Sequence, residues 1–157
     1  MGKEAKMKHS IRNTIFYTLI VLSFSLWTSY AQDHQTEIVS DGVFVHISHG
    51  IDNPHRLLMA LKMAVSMAEG GKDVLVYCDI EAVKILVSNR QSVTFENFLS
   101  SDELLNRLKE LNVKVLACPT CMKVANIEAK DLRSGVSVAQ KDLFFSFTKG
   151  RILSLDY

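Results

Sequence analysis

Two cysteines one helical turn apart, in Val113–Met122 (VKVLACPTCM), are the residues of this chain best placed to do chemistry. Val113, Val115, Leu116 and Ala117 read as a short buried strand. Pro119 suits the first position of a following helix. Its φ is fixed, and the N–H it lacks is one that a helix start leaves unpaired anyway. Cys118 is then the N-cap, with Cys121 one turn further on and on the same face. A thiolate there accepts hydrogen bonds from free backbone N–H groups and meets the positive end of the helix dipole. Cysteines so placed have pKa values lowered to about 3.5–7.5 from about 8.5. Nucleophilic sulfur chemistry at a strand-to-helix turn is the expected activity.

A CxxC by itself also fits a local disulfide or a pair of buried small hydrophobes. The proline and the strand-to-helix placement favour a reactive thiol. Thioredoxin-type exchange fits poorly. The only prolines are Pro54 and Pro119, so none precedes a strand opposite the motif, and no Trp stands directly before Cys118. A structural zinc needs four ligands, and there is no second CxxC. A mixed site from Cys118, Cys121, Cys78, His46, His49 or His55 would require the fold to gather them. His46 and His49 on one strand would point to opposite faces. No GxGxxG follows the first strand and no GxxxxGK[ST] occurs, so neither metal nor cofactor is expected.

Three residues are auxiliary candidates. His49, in a Ser-His-Gly turn, could help form the thiolate, against a plain reading as a solvated loop histidine. Cys78 ends a strand and is by type more often core than chemistry. Arg56, in the first turn of a helix, either faces solvent or holds an anionic sulfur species. His46 is expected to pack within its strand. Met59, Met63 and Met67 recur every four residues, as core or subunit-contact side chains do.

The elements that must position these residues follow from periodicity. Gly42–Ser48 and Asp73–Cys78 alternate as buried strands. Between them Asn53 caps and Pro54 opens a helix over Pro54–Glu69, which Gly70-Gly71 stops. Asp79–Ser88 reads as a short helix or turn, Asn89–Leu99 as a loop, and Ser101–Leu111 as a capped helix with acidic residues in its first turn. After the CPTC helix come a helical piece at Glu128–Leu132 and an extended segment at Gly135–Val138. A helix over Ala139–Thr148 and a last strand at Arg151–Leu155 follow. This rhythm predicts an α/β fold, a single three-layer domain with a mostly parallel central sheet flanked by helices. Sites in such sheets lie outside the carboxyl ends of the strands, so Cys118, Cys78 and His49 should share one edge.

The chain has 157 residues, 48% of them hydrophobic, which bounds it to one domain with a full core. Residues 1–31 read as an export signal, with Lys3, Lys6, Lys8 and Arg12 before an apolar run to Trp27 and a cleavage site after Ala31. An uncleaved anchor is the rival, although the run falls short of the roughly 20 apolar residues of a spanning helix. Removing the segment takes four basic residues and Glu4, moving the formal charge from +1 to −2. With no basic block left, nucleic acid and stable membrane insertion are not expected. The expected location is the periplasm or another exported compartment. Three cysteines, an odd count, argue against a disulfide scaffold.

The segments GVFVHISHGIDNPHRLLMALKMAVSMAEGGKDVLVYCDIEAVKIL, LLNRLKELNVKVLACPTCM and DLRSGVSV…GRILSLDY resemble the DsrE/DsrF-like family, which includes the TusD-type sulfur-relay proteins. The resemblance covers nearly all of residues 42–157, within an expected mature domain of 32–157. It implies a compact α/β fold with a parallel sheet, assembled into homo- or hetero-oligomers. It also implies that Cys118 carries sulfane sulfur as a persulfide and passes it to a partner cysteine, with Cys121 as the second or resolving thiol. The implied partners are sulfur donor and acceptor proteins or small polysulfides. Two features depart from the pattern: the relay proteins are cytoplasmic, and Ala125-Asn126 stands where many relatives carry a glycine. The competing expectations are an oligomeric interaction module with a structural CxxC disulfide, or a dithiol redox protein.

Overall fold

Alternation in GVFVHI and DVLVYC makes two strands, β1 (Gly42–Ile47) and β2 (Asp73–Cys78), that pair in parallel. Register sets Val43 beside Val74, Val45 beside Val76 and Ile47 beside Cys78, so these buried residues share one face. The computed structural model describes residues 39–157. The expected export signal lies outside the described residues. Further on come β3 (Lys114–Ala117), β4 (Val136–Val138) and β5 (Ile152–Asp156). They form one sheet in the order β4-β3-β2-β1-β5, and every neighbouring pair is parallel. The expected α/β class, a parallel sheet flanked by helices, is what the chain adopts.

Two long helices cover the valine face. Helix α1 (Pro54–Glu69) is capped by the Asn53 side chain, which accepts from the Arg56 N–H, with Pro54 in the first turn. It ends where Gly71, at φ +76, takes the left-handed position and Lys72 N–H reaches Met67 O at 3.1 Å. Helix α2 (Ser101–Glu110) opens with a reciprocal capping box between Ser100 and Glu103. Leu57, Leu58 and Leu61 of α1 pack with Leu104 and Leu108 of α2 and with Val45, Val76 and Val115 in one core. Each such leucine, fully buried, contributes roughly 1.5–3 kcal/mol.

The opposite face carries Phe44, Tyr77 and Leu116, and its cover is thinner. The expected helix over Ala139–Thr148 is a single 3-10 turn, Lys141–Phe144. The run FFSFT, which begins at Phe144, is aromatic, hydroxylated and β-branched, a poor helix former. Its rings serve the sheet instead: Phe144 stands 5.1 Å from Tyr77 and 6.0 Å from Phe44. The other short pieces are also single 3-10 turns, at Ala82–Leu86 and Ala129–Asp131. The loop at 89–99 is pinned, with Phe95 stacked 5.0 Å from His55 and Val93 N–H donating to Ser101 Oγ at 2.9 Å.

Candidate functional site

The sheet leads into the cysteine turn without a break. Cys118 N–H donates to Cys78 O at 2.9 Å, extending the β2–β3 ladder by one residue. Cys118 is then the extended N-cap of helix α3 (Pro119–Val124), with Pro119 in the first turn. Its sulfur accepts the Cys121 N–H at 3.5 Å. All three cysteines are free thiols, and Cys118 is 9% exposed while Cys121 is half-buried.

Burial pushes the Cys118 thiol up, but hydrogen bonds from the Tyr77 hydroxyl, the Cys121 N–H, the Cys121 thiol and the Thr120 N–H outweigh it. The net shift is below the ordinary thiol value. Cys121 goes the other way: burial raises it, the Ile80 N–H lowers it, and the neighbouring Cys118 sulfur raises it again. The pair is therefore asymmetric, with Cys118 the first to ionise and Cys121 a thiol that donates to it.

Tyr77 was not among the residues singled out by type and spacing. It reaches the site because strands leave alternate residues on one face: Tyr77 pairs with Leu116 on one side and His46 on the other. Its ring lies 5.7 Å from that of His46, and Cys118, two residues beyond Leu116, lies on the same face. His46, expected only to pack within its strand, is a polar centre. Its Nδ1 is 2.9 Å from Asp156 Oδ1 and its Nε2 is 3.0 Å from Asp79 Oδ2. The second contact is an ion pair out of line for a hydrogen bond. Burial lowers the His46 pKa, but the two carboxylates prevail and raise it above the ordinary histidine value. The signal available in the sequence was parity: His46 and Tyr77 lie on the strand positions that alternate with the buried valines.

The auxiliary candidates fall differently. Cys78 is next to the site through its carbonyl, but its side chain is fully buried in the valine-face core and burial pushes its thiol far up. It is a core residue here. His49 and Arg56 come together, but with each other. His49 Nδ1 is 2.6 Å from Asp52 Oδ2, and Arg56 Nη1 is 3.1 Å from His49 Nε2. A guanidinium only donates, so His49 Nε2 accepts and Nδ1 carries the proton donated to Asp52. Among the described residues no group of three His, Cys, Asp or Glu side chains could hold a metal. Around His46 the carboxylates sit on opposite ring nitrogens and do not converge.

Among the solved structures similar to this chain is the ychN protein from E. coli, with a TM-score of 0.57 at 18% identity. The match covers 75% of this chain and 100% of that one. Another is MTH1491, a protein of unknown function from Methanobacterium thermoautotrophicum, with a TM-score of 0.53, 18% identity, and 75% and 99% of the two chains covered. These likenesses concern the fold. No curated protein matches the chain. The pattern that defines the DsrE/DsrF-like family matches residues 41–145, a span that holds Cys118, Cys121, Tyr77 and His46.

Proposed function

Because the chain belongs to the DsrE/DsrF-like family, and so to a setting of sulfur-relay-type roles in general, we propose that it is a sulfur carrier loaded at Cys118. The observation that carries this reading is the Cys118 sulfur itself, capping α3 and accepting the Cys121 N–H, with its pKa held below the ordinary thiol value. In the loading step the Cys118 thiolate attacks the outer sulfur of a persulfide, R–S–SH. The Cys118–S bond forms, the S–S bond of the donor breaks, and its electron pair leaves with R–S⁻. The product is Cys118–S–SH.

Cys121 is the second thiol, and its raised pKa gives it a protective part. As a thiolate it would attack the inner sulfur of Cys118–S–SH, forming the Cys118–Cys121 disulfide and expelling HS⁻. As a thiol it only hydrogen-bonds, so the persulfide survives to meet an acceptor. Ile80 and Val124, 60% and 81% exposed, flank the cysteines and offer an apolar rim to a protein donor or acceptor. No helix among the described residues is long and apolar enough to cross a membrane. Export directed by residues 1–31 and assembly into a homo-oligomer complete the proposal.

The test is intact-mass analysis before and after polysulfide exposure, alongside Cys118→Ser. Mass added in steps of one sulfur, reversed by reductant and abolished in the variant, is the expected result. Loading that persists in Cys118→Ser would overturn the assignment. So would an inert protein two hydrogens light at Cys118–Cys121, which is the structural disulfide. Mixed disulfides with client proteins accumulating in Cys121→Ser would point to dithiol exchange instead.

A further inference from the structure

We propose that Tyr77 is a catalytic residue of this site, its hydroxyl stabilising the Cys118 thiolate both as it attacks and as it departs, and that His46 positions it from behind. The inference rests on the reading of Cys118 as the nucleophile. Three neighbours from two elements hold the Tyr77 ring: Phe44 and His46 of β1 at 6.3 and 5.7 Å, and Phe144 of the 3-10 turn at 5.1 Å and edge-on. Register sets Tyr77 opposite Leu116, and the ladder runs on through Cys118 N–H to Cys78 O, so Cys118 lies diagonally across from Tyr77 on the same face, where the phenol lowers the thiol's pKa.

His46 is itself clamped. Asp156 ends β5 and holds Nδ1 at 2.9 Å, while Asp79 follows β2 and sits 3.0 Å from Nε2. The two carboxylates therefore fix the imidazole from β5 on one side and the β2 turn on the other. The stacked phenol is fixed in turn. Burial and the neighbouring sulfur push the Tyr77 hydroxyl well above the ordinary phenol range. It therefore keeps its proton and acts as a hydrogen-bond donor, not as an acid. In the delivery step, an acceptor thiolate R′–S⁻ attacks the outer sulfur of Cys118–S–SH. R′–S–SH forms, the S–S bond breaks, and the electron pair returns to Cys118 as a thiolate under the same hydroxyl. A donor that waits where negative charge develops favours both directions of transfer.

The test compares wild type and Tyr77→Phe by following iodoacetamide labelling of Cys118 with intact mass as a function of pH. Phe keeps the ring contacts and removes only the hydroxyl. Loss of one charge-assisted hydrogen bond should raise the midpoint of the profile by about one pH unit and slow labelling at neutral pH about tenfold. An unchanged profile in a folded variant would overturn the proposal. Should Tyr77→Phe not fold, 3-fluorotyrosine at position 77 tests the same bond without changing shape. A more acidic phenol should move the midpoint down, and no movement would again overturn it. Polysulfide loading of the same samples separates the two ideas. A shifted profile without loading retains Tyr77 and removes the carrier, whereas loading with an unshifted profile does the reverse.

Discussion

His46 and His49 are three residues apart, each touching an aspartate, yet they belong to unlike structures. His49 stands in the turn after β1 and closes on residues of its own neighbourhood, Asp52 and Arg56. His46 is inside β1 and meets Asp156 from β5, Asp79 from the end of β2 and the Tyr77 ring across the ladder. The first cluster is written locally, as a turn and a helix start that could form almost alone. The second exists only when three parallel strands are in register. Chemistry that depends on register is assembled by the whole fold, and it is the register cluster, through Tyr77, that lies beside Cys118.

The largest effect expected from this contrast is on Cys118 reactivity. His46→Ala frees the Tyr77 ring and should slow Cys118 labelling at neutral pH several-fold. It should also cost about 1–2 kcal/mol of stability, because Asp79, largely buried, is left with an uncompensated charge. His49→Ala removes contacts that are exposed and local, and should change labelling less than about twofold and stability less than about 1 kcal/mol. Equal effects of the two variants on labelling would erase the distinction between the clusters.

A smaller effect separates them by pH. The folded-state pKa of His46 is raised above its unfolded value, against the burial that lowers it, by Asp79 and Asp156. The stabilisation is therefore fully present below about pH 6.5, the ordinary histidine value. It is lost as pH rises through the higher folded-state value. Urea unfolding of wild type should show this decline, of about 1 kcal/mol or less for a group partly open to solvent. Asp156→Asn should flatten it, and Asp52→Asn should leave it in place. A decline that survives Asp156→Asn would assign the titration elsewhere.

Much of this was legible before the structure, and what was missed shares one cause. Strands, helix caps and the Cys118 N-cap are local patterns: Asn53-Pro54, Gly71 and Ser100-x-x-Glu103 each act within a few residues. Even the apparent anomaly at Ala125-Asn126 is local. Asn126 adopts φ +53, and Ile127 N–H closes the turn on Met122 O at 2.9 Å, as a glycine would allow. The cluster around His46 carries no such signature, because its members are separated by whole crossovers. The helix expected over Ala139–Thr148 failed for a related reason. Phe144 is drawn to Phe44 and Tyr77 on the sheet, and tertiary packing overrides a weak propensity. At Cys118 the structure also shifts the weight of the explanation. With six residues, α3 is a short source of dipole, and the named donors, Tyr77 first among them, offset burial.

The turn that links the two clusters gives the smallest and sharpest case. Asp79 N–H and Glu81 N–H donate to Ile47 O and Ser48 O at 3.0 and 3.1 Å, tying the end of β2 to the end of β1. Between them Ile80 is held at φ +44, a left-handed conformation that costs an L-residue roughly 1–2 kcal/mol and suits a β-branched side chain worst. Its side chain is 60% exposed, so little burial offsets that cost, while its N–H points to the Cys121 sulfur. Ile80→Asn keeps the N–H and places a residue that tolerates this conformation. It should raise stability by about 0.5–1 kcal/mol and leave Cys118 labelling within about twofold of wild type. A loss of stability would mean that the exposed isoleucine packs usefully in the free protein. A gain accompanied by weaker capture of a protein acceptor would assign the strained side chain to the apolar rim of the site.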